Sequence, residues 1–572
     1  MTDTEERTLL ILYGSQTGYA EDTARRIGRQ AWRRHYAVKV QAMDQTDRTA
    51  LFTSRGPVVF VCSTTGQGDA PDNMRHLWRV LLRKALPRDA LDRLRYAVFG
   101  LGDSSYAKFN YAAKRLDRRL AQLGAKQIVP RGDGDDQHYL GADGALDPWL
   151  DSLWPALLLN GQPPSLHRAS IPDSVPPPPS ASVELGTGTM ELQGPPEPDT
   201  TVAATLVLTE RITTPDHFQD VRHLQFRTDK DAVSWNPGDC AVLRPSNTAQ
   251  DVDAFLAAAH WTEQADSVVR LESNDLPQWV PRQTTLRWLS TYYFDIAGVP
   301  RRSFFELLGY FSPNTTERER LQELGSTEGQ DDLHAYCMRP RRTVTETLAD
   351  FPATPVPLAH MLDVVPMIAE RSFSISSSSQ VDLTVAVVEY RTMMHLPRRG
   401  VCSRWLASLA PGASVHLRVA RGLMHLPRDA GTPVLMVGPG TGIAAFMAFI
   451  EARPAANYLF FGCRSKTKDF YYRAQLEQWC AEGRLRLFCA FSRDSGEHVQ
   501  HRIREQGELV WALLDRQGAS VYVSGNANRM PQDVRAAFVD VVKTHGALSP
   551  EDADAYVGAL EKANRYQEEC WY

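Results

Sequence analysis

Long apolar runs are missing from this chain of 572 residues. None approaches the ~18–20 residues that cross a bilayer, so no membrane anchor is expected. A strong excess of one charge is missing too: a net charge of -5 over this length argues against nucleic acid as the main partner. The eight cysteines include no C-x-x-C or C-x-x-C-H pair, which disfavours a zinc site, a disulfide framework and covalent haem. No metal is expected, and the thiols point to a reducing, cytoplasmic setting. Residues 1–7 are polar and run straight into a strand-like stretch at 9–13, so neither a signal nor a transit peptide is expected. What remains is ordinary soluble composition, 43% hydrophobic with a mean hydropathy of -0.34, and length for about three or four domains of ~150 residues.

The apolar run at 9–13 leads into Gly14, Ser15, Gln16, Thr17 and Gly18, then a helical pattern from 19 to 35. A strand, a loop of small and hydroxyl residues and a helix start make an anion site, because free backbone N–H groups and the helix dipole converge there. No Gly-Lys-Ser/Thr is present, which excludes a nucleotide triphosphatase loop. Hydroxyls and amides without a lysine suit a single terminal phosphate, as in FMN. Two further strand-like runs end in polar loops: 58–62 before Thr64, Thr65, Gly66 and Asp69, and 95–99 before Leu101, Gly102, Asp103, Tyr106, Phe109 and Asn110. In a doubly wound sheet such loops meet beyond the carboxyl ends of the strands. A fourth loop at 132–138 carries Asp133, Asp135 and Asp136. Residues 1–150 hold 23 Lys and Arg against 18 Asp and Glu, yet Glu21, Asp22, Asp69, Asp72 and Asp103 join that loop in an acidic rim. Screening beyond ~8 Å at physiological salt leads us to expect this rim, rather than the basic back, to steer docking.

Prolines crowd residues 161–200, which read as a semi-extended linker able to let one domain swing. Strand-like runs at 203–210, 221–228 and 239–243 are followed by a helical interlude at about 249–342, which contains Pro300, Arg301, Arg302 and Ser303. Strands resume with Arg371, Ser372, Phe373 and Ser374, ahead of a serine run at 376–379. Gly400, Val401, Cys402 and Ser403 then open a helix, a second site suited to a diphosphate. From 434 onward, four strands each end in a polar loop: Gly438 to Gly442 with Gly440 and Thr441, then Arg464, then Ser492 and Arg493, then Asn526 with Asp533 beyond it. That repeat makes a dinucleotide domain. Ser492 and Arg493 offer a hydroxyl and a guanidinium to a ribose 2′-phosphate, which favours NADPH over NADH.

In combination these motifs resemble the diflavin reductases, most closely the branch that serves cytosolic iron–sulfur assembly. The resemblance covers nearly the whole chain except residues 161–200. It implies a multidomain α/β protein: a flavodoxin-like FMN domain (1–160), a ferredoxin-reductase-like FAD β-barrel with a helical connecting insert (201–430), and a Rossmann-like NADP-binding domain (431–572). It also implies roles. Tyr106 stacks on the FMN ring, while Thr65 stands where P450 reductases carry a second aromatic. Arg371 meets the FAD diphosphate with Gly400, Phe373 lies on the FAD ring, and Ser374 bonds its reactive edge. Trp571 covers that ring until nicotinamide displaces it, and Glu569 matches an acid near the hydride path. Where P450 reductases place a cysteine near the nicotinamide, this chain has Ser524. Relatives follow Ser-Arg-Asp with a lysine and a tyrosine that hold the 2′-phosphate and adenosine. Here the 492–500 loop is about two residues shorter and has neither, leaving Gln500 for the adenosine. The implied electron path is NADPH to FAD to FMN to a one-electron acceptor, an anamorsin-type iron–sulfur protein. A soluble P450-reductase-like donor is the alternative acceptor reading, and a flavin-binding scaffold without turnover is the non-enzyme one.

Overall fold

The computed structural model describes residues 8–47, 51–52, 56–66, 68–106, 108–159, 169–190, 194–196, 198, 200–229, 233–273 and 276–571. The chain divides into two compact units, Met1–Gly194 with Asn247–Ala369, and Pro195–Ser246 with Glu370–Tyr572.

The first unit holds a parallel sheet in the order Ala37–Ala42, Thr8–Gly14, Pro57–Ser63, Arg95–Gly102, Lys126–Gln127, and Gly132–Asp135 also pairs with Arg95–Gly102. Continuous apolar runs form its central strands because helices cover both faces. In the Tyr19–Arg33 helix, Ala20, Ala24, Ile27 and Ala31 recur at helical spacing and bury one stripe. At Gly132 a Cβ would lie 2.5 Å from the Phe99 ring, so only glycine lets the acidic loop approach the sheet so closely. The loops at 14–18, 63–69, 102–110 and 132–138 all leave the carboxyl ends of parallel strands.

The helical insert packs in this same unit around Phe255, Trp261, Phe294 and Phe305. It extends past the expected 342, through Val344–Asp350 and Met361–Val364. Thr343 and Glu346 form a capping box that restarts the helix there. A cluster of charges joins the insert to the flavodoxin fold. Arg26 donates to Asp143 and Asp147 at 2.6 Å each, and Arg302 donates to Asp147 at 2.8 Å.

The proline-rich stretch departs from the linker expectation. Residues 161–168 lie outside the described residues, but Ser182–Thr189 is a strand paired antiparallel with Ser267–Glu272 of the insert. Upstream of it, Arg33 donates to the carbonyls of Pro172 and Val175, and Ser180 donates its N–H to Asp363. Proline fixes φ and favours extended backbone, and extended backbone beside an open sheet edge pairs with it. Residues 171–189 are therefore anchored rather than a free tether.

The second unit contains a six-stranded antiparallel sheet built on Val202–Arg211, Val221–Thr228, Cys240–Leu243, Arg371–Ser374, Val381–Ala386 and Ser414–Ala420. Ile375, just past one end strand, bridges to Leu383 of the other, so the sheet curls on itself but does not close into the expected β-barrel. The dinucleotide domain is a parallel sheet in the order Leu485–Phe491, Asn457–Cys463, Val434–Pro439, Ser520–Asn526, Tyr566–Trp571. Trp571 thus sits on a hydrogen-bonded strand. The serine run is structural: Ser377 and Ser379 hydroxyls and the Ser378 N–H all donate to Glu451, at 2.8, 2.9 and 2.6 Å. Those bonds outweigh the effect of burial and hold the Glu451 carboxyl below its ordinary range.

Candidate functional site

Three loops of the first unit follow neighbouring strands of its parallel sheet. Gly18 has φ +82 and caps the Tyr19–Arg33 helix, a backbone turn that a side chain would strain. Asn73 accepts the Ser15 N–H at 2.8 Å, and the Gln16 side chain brackets Asp72. Thr17 is exposed, and the buried Ser15 hydroxyl has no partner among the described residues. A loop of this shape, with one idle hydroxyl and a helix start, fits a terminal phosphate. Thr64 donates its N–H to Leu101, while Thr65 and Asp69 exchange backbone bonds that turn Gly66 outward. Tyr106 and Phe109 are half-buried, and Lys114 lies 5.0 Å over the Phe109 ring. Asn110 is buried and donates to the Gly134 carbonyl at 3.0 Å, and a Cβ at Gly102 would meet it at 2.6 Å. Asn110 therefore braces the loop through its amide N–H, while its side-chain oxygen has no partner among the described residues.

The acidic rim differs from the expectation of free steering charge. Arg131 binds Asp133, and Asp135 accepts the N–H groups of Ser104 and Gln137. Burial pulls Asp135 upward, but these bonds win and hold its carboxyl low. Gln137 donates to Asp103, Arg25 pairs with Glu21, Arg75 pairs with Asp72, and Ser303 donates to Asp22. Glycine-rich loops leave many N–H groups without partners, and the carboxylates are engaged in satisfying them and the local guanidinium groups.

One contact had no sequence signal pointing to it. Arg301 of the insert donates to the carbonyls of Gly18 and Thr17, at 2.8 and 3.1 Å, and lies 5.0 Å over the Tyr19 ring. It fixes the carbonyl side of the phosphate loop, which leaves the N–H side facing the ligand. An Arg301→Ala chain is expected to bind FMN roughly tenfold more weakly, the worth of about one charge-assisted bond. Fluorescence titration of the FMN-depleted full chain measures it, and an unchanged affinity would remove Arg301 from this role.

In the second unit, Arg371–Ser374 lies antiparallel to Cys240–Leu243, with Ser374 opposite Cys240 and Phe373 opposite Ala241. Arg371 and Ser372 are exposed, Phe373 and Ser374 half-buried. Gly400 caps the Val401–Ser408 helix. A Cβ there would lie 2.7 Å from the Ser403 hydroxyl, so glycine lets the turn close. Cys402 and Ser403 face inward: Ser403 accepts the Val388 N–H at 3.0 Å, and burial pushes the Cys402 thiol up to about 12 even with Arg371 nearby. Their side chains are thus engaged within the protein, and their backbone N–H groups lie in the first turn of the helix. Trp571 ends its strand 39% exposed, level with Asn526 in register. Glu569 is two residues before it. Burial pushes its carboxyl up to about 7, against a hydrogen bond from Cys240.

Around the dinucleotide loops, Gly440 has φ +59, and Gly442 leaves no room for a side chain, since a Cβ would sit 2.0 Å from the Ser524 carbonyl. Arg493 donates its N–H to Arg464 at 2.8 Å, and Ser492 donates its own to Cys463. The two exposed guanidinium groups and the Ser492 hydroxyl therefore share one edge, a donor set suited to a phosphate. Arg464 is stacked 3.9 Å over Phe218. Gln500 donates to Asp533 at 3.5 Å. Lys466, overlooked in the sequence, is exposed on the same turn, where its N–H donates to Asp494.

Comparison with known proteins decides what these sites belong to. Residues 11–149 match the family model for flavodoxin, 195–405 that for an FAD binding domain, and 436–536 that for an oxidoreductase NAD-binding domain. The chain is 44% identical to NADPH-dependent diflavin oxidoreductase 1 of Danio rerio, over 99% of both chains. It is 45% identical to the Bos taurus protein of that name, over 98% of this chain and 99% of the other. Against the Schizosaccharomyces pombe one it is 40% identical, over 98% and 99%. The chain belongs to the NADPH-dependent diflavin oxidoreductases. As a diflavin oxidoreductase it uses FMN in the flavodoxin fold, FAD on the antiparallel sheet and NADPH on the C-terminal sheet. The geometry of each donor set suits its group: an idle hydroxyl at a phosphate loop, an exposed arginine by a helix start, and paired guanidiniums. Among the described residues, no helix is long and apolar enough to cross a membrane, and no cluster could hold a metal.

Proposed function

We propose that this chain takes reducing equivalents from NADPH and delivers single electrons to an iron–sulfur protein of the anamorsin type, within cytosolic iron–sulfur cluster assembly. The match of all three domains, in order and over nearly the full length of named diflavin oxidoreductases, carries the reductase part of this reading. The acceptor and the cytoplasmic setting rest on the family resemblance of the motifs. When bound, the cofactors supply hydride transfer from NADPH to FAD and one-electron chemistry at FMN. The chain's residues do the rest. Arg371 and the N–H groups after Gly400 hold the FAD diphosphate, Phe373 and Trp571 flank its ring, and Ser374 hydrogen-bonds the ring edge. Arg464, Ser492 and Arg493 hold the 2′-phosphate of NADPH, the Gly440–Ile443 turn opens toward its diphosphate, and Asn526 faces the nicotinamide end. Glu569, with its raised pKa, holds or releases a proton beside the hydride path near neutral pH.

Anaerobic addition of NADPH should bleach the yellow full-length chain, and oxidised anamorsin-type protein added next should lose its own visible absorbance as it is reduced. Flavins that stay oxidised would overturn the reductase reading, and an acceptor that stays oxidised would overturn the partner. Trp571 supplies a second measurement. Stacking of an aromatic ring is worth ~1–3 kcal/mol, so Trp571→Ala should raise kcat/KM for NADH roughly tenfold by leaving nothing to displace. Unchanged NADH kinetics would place the indole elsewhere than on the FAD ring.

A further inference from the structure

The thiol absent at position 524 has a counterpart on another strand. Cys240 belongs to Cys240–Leu243 of the antiparallel sheet, directly across from Ser374, so their side chains share one face of the sheet. Its Sγ–H donates to Glu569 Oε1 at 3.7 Å. Glu569 lies on the last strand of the dinucleotide sheet, paired in register with Ser524. Four residues on four strands, Cys240, Ser374, Ser524 and Glu569, are thus brought together through strand register and one hydrogen bond. The Cys240 thiol is the carboxyl's hydrogen-bond donor, while Glu569 Oε2 and the Ser524 hydroxyl are closed off from solvent without a partner among the described residues.

We propose that Cys240 is a positioning residue for Glu569: its thiol binds one carboxylate oxygen, fixes the carboxyl beside Ser374, and sets how readily it holds a proton. The inference rests on the reading above that Glu569 lies by the hydride path. A buried carboxylate without a cation needs a donor, and among the described residues no Lys or Arg supplies one here. The neighbouring charge has the wrong sign: Asp239 precedes Cys240, with its own oxygens taken by the N–H groups of Asn236 and Gly422. Cys570 follows Glu569, and burial together with the acidic pair Glu568 and Glu569 keeps that thiol protonated, raised to about 12. The Cys240 thiol is likewise held protonated by burial and by Glu569, so it remains a donor throughout the range in which the carboxyl titrates. A thiol is a weak donor. It therefore lowers the proton affinity of Glu569 only modestly, leaving both forms of the carboxyl populated near neutral pH.

The test is an ordered series in the full FAD-loaded chain without NADPH. Infrared difference spectra, with Glu569→Gln to identify the band, follow the Glu569 carboxyl C=O stretch against pH. The midpoint should lie near 7 in the native chain, rise by roughly half to one unit in Cys240→Ala, and fall in Cys240→Ser, whose hydroxyl is the stronger donor. FAD content and melting temperature of each variant show that it has folded. Midpoints that coincide in folded native, alanine and serine chains overturn the inference, whatever the kinetics show. The underlying reading has its own readout, the pH profile of anaerobic flavin reduction by NADPH. If Glu569→Gln leaves that profile unchanged, Glu569 is not on the hydride path, and the infrared series still decides the thiol–carboxyl pair.

Discussion

An Asp147→Ala chain is expected to lose about 3–5 kcal/mol of stability in the unit that carries the flavodoxin fold, the cost of removing one partner from a buried ion pair. Asp147 accepts from Arg26 at 2.6 Å, from Arg302 at 2.8 Å, and from Thr327 and Gln330 at 3.1 Å each. The Arg26 and Arg302 side chains are only 5% and 10% exposed. With alanine at 147, Arg26 keeps Asp143, but Arg302 is left 4.0 Å from the nearest carboxylate. The loss therefore comes mostly from a buried guanidinium left without a close carboxylate, with only the Gly325 carbonyl and the Thr327 hydroxyl as acceptors. Asp147→Ala with Arg302→Met should accordingly recover part of the deficit. Urea unfolding followed by loss of FMN fluorescence quenching measures both, and a single variant as stable as the native chain would show the cluster to be solvated.

The same cluster sets a pH dependence. Burial alone would raise Asp147, but Arg26 and Arg302 outweigh it and hold its carboxyl below the ordinary range. A carboxyl lowered by folding contributes stability that is complete above its unfolded pKa and is lost as pH falls through the folded one. Acid should therefore weaken the first unit progressively below the ordinary carboxylate range, and the Asp147→Ala chain should show less of that decline. Asp143 runs the other way: burial with a single close guanidinium leaves its carboxyl raised, so it adds nothing to acid sensitivity in that window.

Arg493→Ala is expected to lower the ratio of kcat/KM for NADPH over NADH by ten- to a hundredfold. A charge-assisted bond to phosphate is worth ~1.5–3 kcal/mol, and tenfold in affinity corresponds to ~1.4 kcal/mol. The loop from Asp494 to Gln500 has neither lysine nor tyrosine, so this guanidinium is expected to carry much of the discrimination. The structure adds Arg464, whose carbonyl accepts the Arg493 N–H at 2.8 Å, and Lys466 on the same turn. A ratio that survives Arg493→Ala would transfer 2′-phosphate recognition to those two, and Arg464→Ala with Lys466→Ala would then abolish it. Steady-state rates with each nucleotide suffice to tell the cases apart.

What the sequence by itself determined are the features written within a few residues of one another. A strand, a short polar loop and a helix start recur at βα intervals, and each repeat carries its own anion site, because the N–H groups of a helix start belong to that local turn. The turns at 14–18 and 438–442 and the helix start after Gly400 were legible for that reason, and so were the parallel strands before the first two. Tertiary structure alone decided which side chains remain free for chemistry. Arg301 meets Gly18 across 283 residues, and Cys240 meets Glu569 across 329. Neither pairing leaves a trace in spacing or composition. Asp133 and Asp135 read as a steering rim and Ser377 to Ser379 as a polar turn, yet the first two hold their own loop and the serines hold Glu451. Residues 182–189 read as linker and pair as a strand because an open edge lies beside them. In each case a polar group takes whatever partner the packed chain brings within ~3 Å, since leaving it buried and unpaired costs ~1–3 kcal/mol, and that partner is chosen by strand register and helix packing far along the chain.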